Sequence, residues 1–320
     1  ESERKELYSY MDPYYEAGLD GVIIQDLGIG KMLDKAYPDL PIHASTQMTV
    51  HTKEAVGLIE KLGIERVVLS RECSLEDISD IAKASSLELE VFIHGSMCYS
   101  YSGACFMSSL LGGRSGNRGR CAGTCRLCYI SKGKKGNYLS MKDMFTLDLL
   151  KELLEAGAYS LKIEGRMKTE LYVATVTRTY KMAIRDYLED PKKYEANIPF
   201  YEEEIRKCTY REYSTGFYYR KPIEEDQIYG NNSYSAGATY LGTVENVEGD
   251  FAFLTQKNKF SVGEEIAIMR PGERDIFTKV LSMEDAETGE SLESCPHSKQ
   301  PLKIRFSVLP EKQDVLRRME

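Results

Sequence analysis

Short apolar runs alternate with amphipathic stretches along much of the chain, and this alternation limits the possible folds more than any other feature. The strand-like runs are residues 21–25, 41–45, 66–70, 89–94 and 160–164. Apolar residues at helical spacing fill the intervals, as over 53–62 and over 74–84, where Ser74 is placed to cap a helix. Strands that alternate with helices predict a parallel α/β sheet or barrel.

The pattern changes towards the end of the chain. Helices are predicted over 144–155 and 170–187, followed by a polar linker over 190–199 and a helix over 201–207. Later runs are short, strand-like and separated by Gly, Asn and Pro, which predicts a small all-β module. The expected division is an α/β domain over 1–190 with a cysteine-rich insertion loop at about 96–136, a linker and helical segment over 191–233, a small β-barrel-like domain over 234–309, and a helical or frayed tail over 310–320.

Charge is unevenly distributed along the chain. The net charge is −8, yet residues 91–142 include no Asp or Glu. The basic residues of this segment are Arg114, Arg118, Arg120, Arg126, Lys132, Lys134, Lys135 and Lys142. A basic segment in an acidic protein predicts one specific anionic partner, and the alternative is a solvated loop without a partner. No apolar run approaches the roughly 18 residues of a membrane span, so no membrane partner is expected.

Polar residues follow the strand-like runs at the point where each run ends. Asp26 follows the first run, Arg71 and Glu72 follow the third, His94 ends the fourth and Glu164 ends the fifth. In parallel α/β folds the carboxyl ends of the strands form the active-site face. We therefore predict a functional site at these ends, the alternative being that polar residues simply resume where strands stop.

Five of the eight cysteines lie between Cys98 and Cys128. No secretion signal opens the chain, so a reducing, cytoplasmic compartment is expected, where clustered cysteines bind metals more often than they form disulfides. The predicted ligands of zinc or of an iron–sulfur cluster are Cys98, Cys105, Cys121 and Cys125. Their uneven spacing favours the cluster, and the alternative is a set of free buried thiols. The isolated cysteines, expected to be structural, are Cys73, Cys208 and Cys295.

Several blocks of the sequence resemble peptidase family U32. The blocks are 90–108 (EVFIHGSMCYSYSGACFMS), 41–47 (PIHASTQ), 66–72 (RVVLSRE), 117–121 (NRGRC) and 160–168 (SLKIEGRMK). Residues 214–217 and the trailing β module also resemble the shorter members, so the resemblance covers nearly the whole chain. It implies a (β/α) TIM-barrel-like domain followed by a small all-β C-terminal domain.

The family's barrel has further strand–helix units upstream of the first block that resembles it here. Five strands cannot close an eight-stranded barrel. We therefore expect the barrel to be N-terminally truncated in this chain.

The family is named for collagenase-like peptidase activity, but several bacterial members are hydroxylases that involve iron–sulfur clusters. Those members modify the wobble uridine of tRNA, a cytidine of ribosomal RNA or a ubiquinone precursor. This sequence has no G-x-S-x-G and no H-E-x-x-H motif. The resemblance implies an RNA-modifying enzyme that hydroxylates the wobble uridine with a 4Fe–4S cluster and a prephenate-like donor. The alternatives are a collagenase-like peptidase, Cys/His or metal dependent, and a zinc-stapled, non-catalytic RNA-binding module.

Roles for individual residues follow from the resemblance. The predicted catalytic residues are His94, Glu90, Arg71, Lys162, Glu164 and Arg166. His94 and Glu90 are expected to transfer protons or to support the cluster, although Glu90 fits an ordinary strand position equally well. The basic residues of the set are expected to bind the carboxylates of the donor, and the alternative is an internal salt bridge with Glu72 or Glu164.

The same loop supplies the predicted contacts with tRNA or another RNA. These residues are Arg114, Arg118, Arg120, Arg126, Tyr99 and Tyr101. Guanidinium groups would contact phosphates, and tyrosine rings would stack on a base. The chain has 22 tyrosines, so a core or surface position without RNA is the alternative for each ring.

Overall fold

A computed structural model describes residues 2–230 and 235–320 of the chain. The chain divides into two compact units, one within Glu1–Glu164 and Arg211–Ser233 and the other within Gly165–Tyr210 and Tyr234–Glu320. This division differs from the predicted domain boundary at 190. The predicted boundary between 233 and 234 lies outside the described residues.

The first unit is built from helices and strands in alternation. Its helices are α1 (Ser2–Lys5), α2 (Leu7–Glu16), α3 (Leu27–Ala36), α4 (Lys53–Glu60), α5 (Leu75–Ala84), α6 (Met107–Gly112) and α7 (Leu150–Glu155). Its strands are β1 (Val22–Ile24), β2 (Ile42–Ala44), β3 (Arg66–Val68), β4 (Glu88–Ser96), β5 (Tyr129–Ser131), β6 (Lys134–Gly136), β7 (Asp143–Phe145), β8 (Ser160–Ile163) and β9 (Tyr213–Ser214). Ser74 caps α5 as predicted, because its Oγ accepts a hydrogen bond from the N–H of Asp77 at 3.1 Å.

Strands β1 to β4 lie side by side in sequence order and pair in parallel. β4 has two further partners: β8 runs parallel to its central part, and β7 runs antiparallel to its last three residues. β9 pairs in parallel with β7. The predicted parallel sheet is confirmed for β1 to β4 and β8, whereas the antiparallel β7 was not predicted. The described residues of this unit form an open sheet, so the TIM-barrel-like architecture stays a prediction.

The helix predicted over 144–155 is wrong in its first part. Asp143–Phe145 form β7, and α7 begins only at Leu150. Met144, Leu147 and Leu150 are all buried at a spacing that a helix would also give. The pairing of β7 with the end of β4 therefore overrode a local helical pattern.

The two faces of β4 differ in character. Leu89, Val91 and Ile93 are buried and apolar, whereas the alternate positions Glu88 and Glu90 carry charge. Successive side chains of a strand point to opposite faces of its sheet. One face of the sheet is therefore apolar at β4, and the other carries charged residues near the amino end of the strand.

The second unit combines two helices with a closed β-barrel. The helices are α8 (Glu170–Glu189) and α9 (Pro191–Arg206). The strands are β10 (Ala238–Glu248), β11 (Phe251–Thr255), β12 (Glu265–Met269), β13 (Ile276–Asp285), β14 (Pro301–Phe306) and β15 (Val315–Met319). They close in the order β10-β11-β14-β13-β12-β15 around a core that includes Phe260, Ile266 and Ile304. The predicted small all-β module is confirmed.

The tail predicted over 310–320 is wrong. Val315–Met319 form β15, which pairs with both β10 and β12 and so completes the barrel. Its side chains Val315 and Leu316 are buried. The segment is too short to show a clear strand pattern, and the two neighbouring strands stabilise it.

The linker predicted over 190–199 is also wrong, because α9 begins at Pro191. The carboxylate of Asp190 accepts the N–H of Lys192 at 3.0 Å and caps the helix. Proline is favoured at the first helical position, where its missing N–H has no partner to lose. Tyr194 and Tyr201 are buried on this helix, so a stretch that looks polar carries a buried aromatic side.

Candidate cysteine-rich active site

Four cysteine thiols in the segment that follows β4 influence one another. Burial raises the pKa of Cys98, and the thiols of Cys105 and Cys121 raise it further. Burial also raises the pKa of Cys125, and the other three thiols add to that rise. Such mutual effects require the groups to be near neighbours. All four predicted ligands are free thiols, and these effects link Cys98 and Cys125 with the other two.

Hydrogen-bond donors and a cation surround some of these sulfur atoms. The N–H of Gly123 donates to Sγ of Cys121 at 3.4 Å, and Oγ of Ser108 lies 3.7 Å from the same sulfur. The backbone of Ser100 and the guanidinium of Arg71 both act to lower the pKa of Cys98, against the larger effect of burial. The thiolate is the form that binds metals, and a bound cation would add to these contacts in stabilising it.

The donor set fits a metal or cluster in its chemistry, because four cysteine thiolates are the usual ligands of a 4Fe–4S cluster. A Cβ built on Gly116 would lie 3.8 Å from Cβ of Cys121 and 4.0 Å from the carbonyl oxygen of Cys105. Two of the ligands thus approach the same small residue. Among the residues that the structure describes, no three His, Cys, Asp or Glu side chains stand at the close spacing of ligands around a single ion.

Ser102 fixes the cysteine loop to residues near the ends of β2 and β3. Its N–H donates to Oε1 of Glu72 at 2.7 Å, and its carbonyl accepts from Oγ1 of Thr49 at 2.5 Å. Gly103 has a φ of +78°, and a Cβ there would lie 2.2 Å from the carbonyl oxygen of Gln47. Only glycine fits so close an approach. Sequence reasoning noted the polar strand ends but missed Ser102, since a serine in a loop gives no signal of a distant partner.

Arg126 was predicted to contact RNA, and the structure corrects this prediction. Its Nη2 donates to the carbonyl of Met97 at 2.6 Å, and its Nη1 donates to the carbonyl of Met141 and to Oγ of Ser140 at 3.2 Å. The guanidinium joins the two ends of the loop, whose carbonyls would otherwise need other donors. It is therefore already committed and not placed to bind a phosphate.

The other predicted RNA contacts lie on the surface. The exposed residues are Arg114, Arg118, Arg120, Tyr99 and Tyr101. Arg118 forms a two-point ion pair with Glu3, in which both N–O distances are 2.7 Å. A basic surface is present at this loop, with one of its arginines neutralised by an exposed partner.

Glu90 is buried on the charged face of β4 within an ion-pair network. Its Oε1 accepts from Nζ of Lys162 at 2.6 Å, its Oε2 accepts from Oγ of Ser160 at 2.9 Å, and Nη1 of Arg66 lies 3.7 Å away. Burial alone would raise the pKa of Glu90, but Lys162, Ser160 and Arg66 outweigh it and hold that pKa below its usual value. Glu90 is thus a fixed carboxylate, and this supports the structural alternative for both Glu90 and Lys162. Arg66 was missed because it stands at the start of its strand.

Arg71 is held more loosely than Lys162. Its Cζ lies 3.7 Å from the ring centroid of Phe92, and its Nη2 lies 3.7 Å from Oε2 of Glu164. Burial lowers the pKa of Arg71, whereas Cys98 and Glu164 act to raise it. The ion-pair contact is too long for a hydrogen bond, so a carboxylate ligand could take the place of Glu164. Arg166 is exposed and belongs to the second unit.

His94 lies in the core of the first unit between aromatic rings. It is 1% exposed, and its ring centroid lies 5.5 Å from that of Tyr213 and 6.1 Å from that of Phe145. The base of a Cys/His peptidase must reach both its thiol and the substrate. Burial of this degree is that of a core histidine and argues against direct contact with a substrate.

Gly95 lets the ends of β4 and β8 meet. It has a φ of +110°, and a Cβ there would lie 2.3 Å from the carbonyl oxygen of Glu164. The N–H of Glu164 donates to the carbonyl of His94 at 2.9 Å. This close approach places Glu164 in reach of Arg71.

Two further groups are buried and structural. Arg211 forms an ion pair with Asp143 and lies 3.3 Å from Oγ of Ser96, a contact between distant segments that no sequence signal announces. Cys73, Cys208 and Cys295 are buried, as expected of structural cysteines.

Comparison with known proteins identifies the family of this chain. The model of peptidase family U32 matches residues 1–228, and the model of the U32 C-terminal domain matches residues 237–317. The chain belongs to peptidase family U32. The resemblance seen in the sequence is thereby confirmed, and the U32 C-terminal domain coincides with the closed β-barrel.

Named relatives of this U32 chain differ in their stated activities. A tRNA hydroxylation protein P1 from Bacillus subtilis is 32% identical over 315 residues, which span 94% of this chain and 74% of that protein. A 23S rRNA 5-hydroxycytidine synthase from Escherichia coli is 39% identical over 183 residues, which span 55% of this chain and 28% of that protein. A collagenase from Porphyromonas gingivalis is 28% identical over 301 residues, which span 85% of this chain and 70% of that protein. The chain spans only 56% of two further relatives named for tRNA hydroxylation.

None of the helices in the described ranges combines the length with the apolar composition that crossing a bilayer requires.

Proposed function

We propose that this U32 chain hydroxylates RNA, and that its substrate is the wobble uridine of tRNA. The observation that carries the proposal is the loop segment after β4, which has four free cysteines and exposed arginines but no acidic residue, and in which Cys98 interacts with Arg71. Thiolates suit a cluster, a guanidinium suits a small carboxylate, and surface arginines suit RNA phosphates. Relatives named for tRNA hydroxylation and for synthesis of 5-hydroxycytidine in rRNA support an RNA substrate.

The proposed cofactor is a 4Fe–4S cluster, and its ligands would be Cys98, Cys105, Cys121 and Cys125. When bound, such a cluster would supply electron transfer or a Lewis-acidic iron at this place. Arg71 would bind a carboxylate of a prephenate-like donor. The ring of Phe92, on which the guanidinium packs, would orient Arg71 for this contact. Arg114 and Arg120 would bind RNA phosphates, and Tyr99 and Tyr101 would offer faces for stacking. We propose the cytoplasm, where such RNA is found, as the location.

Iron and acid-labile sulfide are to be measured after anaerobic purification of the wild type and of Cys121→Ser. We expect iron and sulfide together in the wild type and their loss in the variant. Cys128→Ser is the matched control, because Cys128 is an exposed cysteine of the same loop outside the proposed ligand set. Zinc without sulfide would favour the zinc-stapled RNA-binding module instead. Absence of iron, sulfide and zinc would overturn the cofactor proposal.

The substrate is to be tested by mass analysis of RNA from cells that lack their own RNA hydroxylases and express this chain. The expected product is hydroxyuridine in tRNA, lost with Cys121→Ser. Hydroxycytidine in ribosomal RNA would move the substrate to that RNA. Cleavage of denatured collagen that survives chelation and stops with Cys98→Ser would support the peptidase alternative and contradict the proposal.

A further inference from the structure

Helix α6 has one side against the cysteine site and another towards solvent. Ser108 is buried: its Oγ accepts the N–H of Ala122 at 3.0 Å and lies 3.7 Å from Sγ of Cys121. Leu110 and Leu111 are 82% and 60% exposed. Two exposed leucines therefore lie on the same short helix as Ser108, whose hydroxyl is close to one of the proposed ligands.

Further exposed apolar side chains lie in the same segment as these leucines. α6 contacts the turns Gly116–Arg118 and Thr124–Arg126. We define the loop patch as the exposed apolar side chains of this segment, which are Tyr101, Phe106, Leu110, Leu111 and Leu127. Scattered exposed apolar residues are normal on soluble proteins, but several in one loop indicate a binding surface.

The charge near the loop patch indicates the kind of partner. Arg114 and Arg120 are exposed close to α6 in the sequence, and residues 91–142 contain no Asp or Glu. Apolar side chains flanked by guanidinium groups suit unpaired nucleotides, which offer both bare base faces and phosphates. A paired duplex offers phosphates but keeps its base faces stacked inside.

We propose that α6 is a wedge for single-stranded or looped RNA. Leu110 and Leu111 enter between neighbouring bases and hold them apart next to the thiols, while Arg114 and Arg120 bind the flanking phosphates. Apolar side chains open base steps in this way in other nucleic-acid complexes, and an enzyme that modifies a base must take it out of its stack. The inference rests on the proposed function, in which RNA is the substrate, and it adds the residues that separate the bases and so select unpaired RNA.

The test compares an RNA hairpin carrying 2-aminopurine in its loop with a fully paired duplex of equal length. We expect the wild type to bind the hairpin more tightly and to raise the 2-aminopurine fluorescence, because the base becomes unstacked. Leu110→Ser combined with Leu111→Ser should abolish that rise and weaken hairpin binding by about tenfold, with unchanged duplex binding and salt dependence. Arg114→Gln should instead weaken binding to both RNAs and reduce the salt slope by about one.

Leu58→Ser is the matched control, because Leu58 is 59% exposed on α4 and lies outside the loop patch. It should leave the 2-aminopurine fluorescence and the affinities for both RNAs unchanged. Circular dichroism of each variant tests whether it folds. If the leucine pair can be replaced without effect on hairpin affinity and fluorescence, the wedge is overturned and RNA binding stands. If the replacement stops self-association in sedimentation but leaves RNA binding intact, the loop patch is a protein interface and the wedge is again overturned. If the wild type binds neither RNA, the proposed function itself fails.

Discussion

Charged side chains are concentrated in both units of this protein, but the buried ion-pair network of the second unit and the cysteine site of the first use them in opposite ways. In the second unit, Nη2 of Arg317 lies 2.7 Å from Glu204 and 2.5 Å from Asp275, and Nη1 of Arg178 lies 3.0 Å from Asp275. The side chains of all four residues are at most 5% exposed. In the first unit, Arg71 meets Glu164 only at 3.7 Å, and most loop arginines face solvent.

The difference separates charges that hold a fold together from charges that are placed to bind a ligand. A buried group with short contacts to several partners has no capacity left for a ligand, and removing one partner leaves the others uncompensated. A loosely paired guanidinium at the edge of a site can exchange its partner for a ligand at little cost.

The largest effect is expected in the second unit, from Glu204→Gln. The change leaves Arg178 and Arg317 without one of their two buried carboxylate partners. We expect the free energy of unfolding to fall by about 3–5 kcal/mol, measured by urea denaturation. Glu203→Gln is the matched control, because Glu203 is exposed and meets Lys207 only at 3.7 Å. Equal stability of the two variants would contradict the conclusion that the buried ion-pair network stabilises the second unit.

Acid should weaken the same network. Burial would raise the pKa of Glu204, but Arg317, Lys207 and Arg178 outweigh it and hold that pKa below its usual value. The stabilisation from a lowered pKa is complete above the pKa of the unfolded chain and is lost as the pH falls through the folded value. Urea midpoints should therefore decrease on acidification from that point, and by less in Glu204→Gln than in the wild type. A parallel decrease in both proteins would assign the acid sensitivity to other carboxylates.

In the first unit, close packing rather than charge holds the strand ends, and Gly95→Ala tests this. The new Cβ would collide with the carbonyl of Glu164 at a backbone φ of +110°. We expect a loss of about 1–3 kcal/mol in the free energy of unfolding. Gly57→Ala, in helix α4 with nothing within 4 Å of the new Cβ, should instead stabilise by about 0.5–1 kcal/mol. Thermal melting of both variants would show whether they shift in opposite directions.

The ligand-binding side of the contrast predicts that Arg71 matters more than Lys162 for a carboxylate donor. Arg71→Gln should weaken prephenate binding about tenfold or more, measured by calorimetry, because a charge-assisted hydrogen bond is lost. Arg71→Lys should not restore it, since lysine has neither the fork nor the flat face that packs on Phe92. Lys162→Gln should lower the stability of the protein, because buried Glu90 loses its cationic partner Lys162. It should change the affinity for prephenate little. If Lys162→Gln weakened prephenate binding more than Arg71→Gln, Lys162 would be the residue that binds the carboxylate.

The smallest effect is expected at the surface, from Glu3→Gln. This change releases Arg118 from its two-point pair and should raise affinity for RNA by less than about fivefold at low salt, and not at high salt. Glu6→Gln makes the same charge change at an exposed neighbour without releasing Arg118. Filter binding at two salt concentrations separates the two variants. An equal gain in both would show that only net charge matters.

Local and repeating patterns were predictable from the sequence. The strand–helix alternation predicted β1 to β4 and β8, and Ser74 marked the start of α5. The ligand role of the four cysteines stays a prediction. Contacts between distant segments were not predictable. Nothing near Arg126 in the sequence indicates that it donates to Met97 and Met141, and the spacing of Met144 and Leu147 fits a helix as well as the observed strand and turn. Such pairings depend on the whole fold, which a local pattern does not contain.

Arg126 has a consequence for how the cysteine loop is divided. The guanidinium of Arg126 donates to the carbonyls of Met97 and Met141. These hydrogen bonds divide the segment between 97 and 141 into two smaller rings that share Arg126. All four thiols lie in the ring between 97 and 126, and the β5–β6 hairpin lies in the other, between 126 and 141. Closing a shorter ring costs less chain entropy than closing a longer one. A protease cut in the hairpin would therefore leave the thiol ring whole.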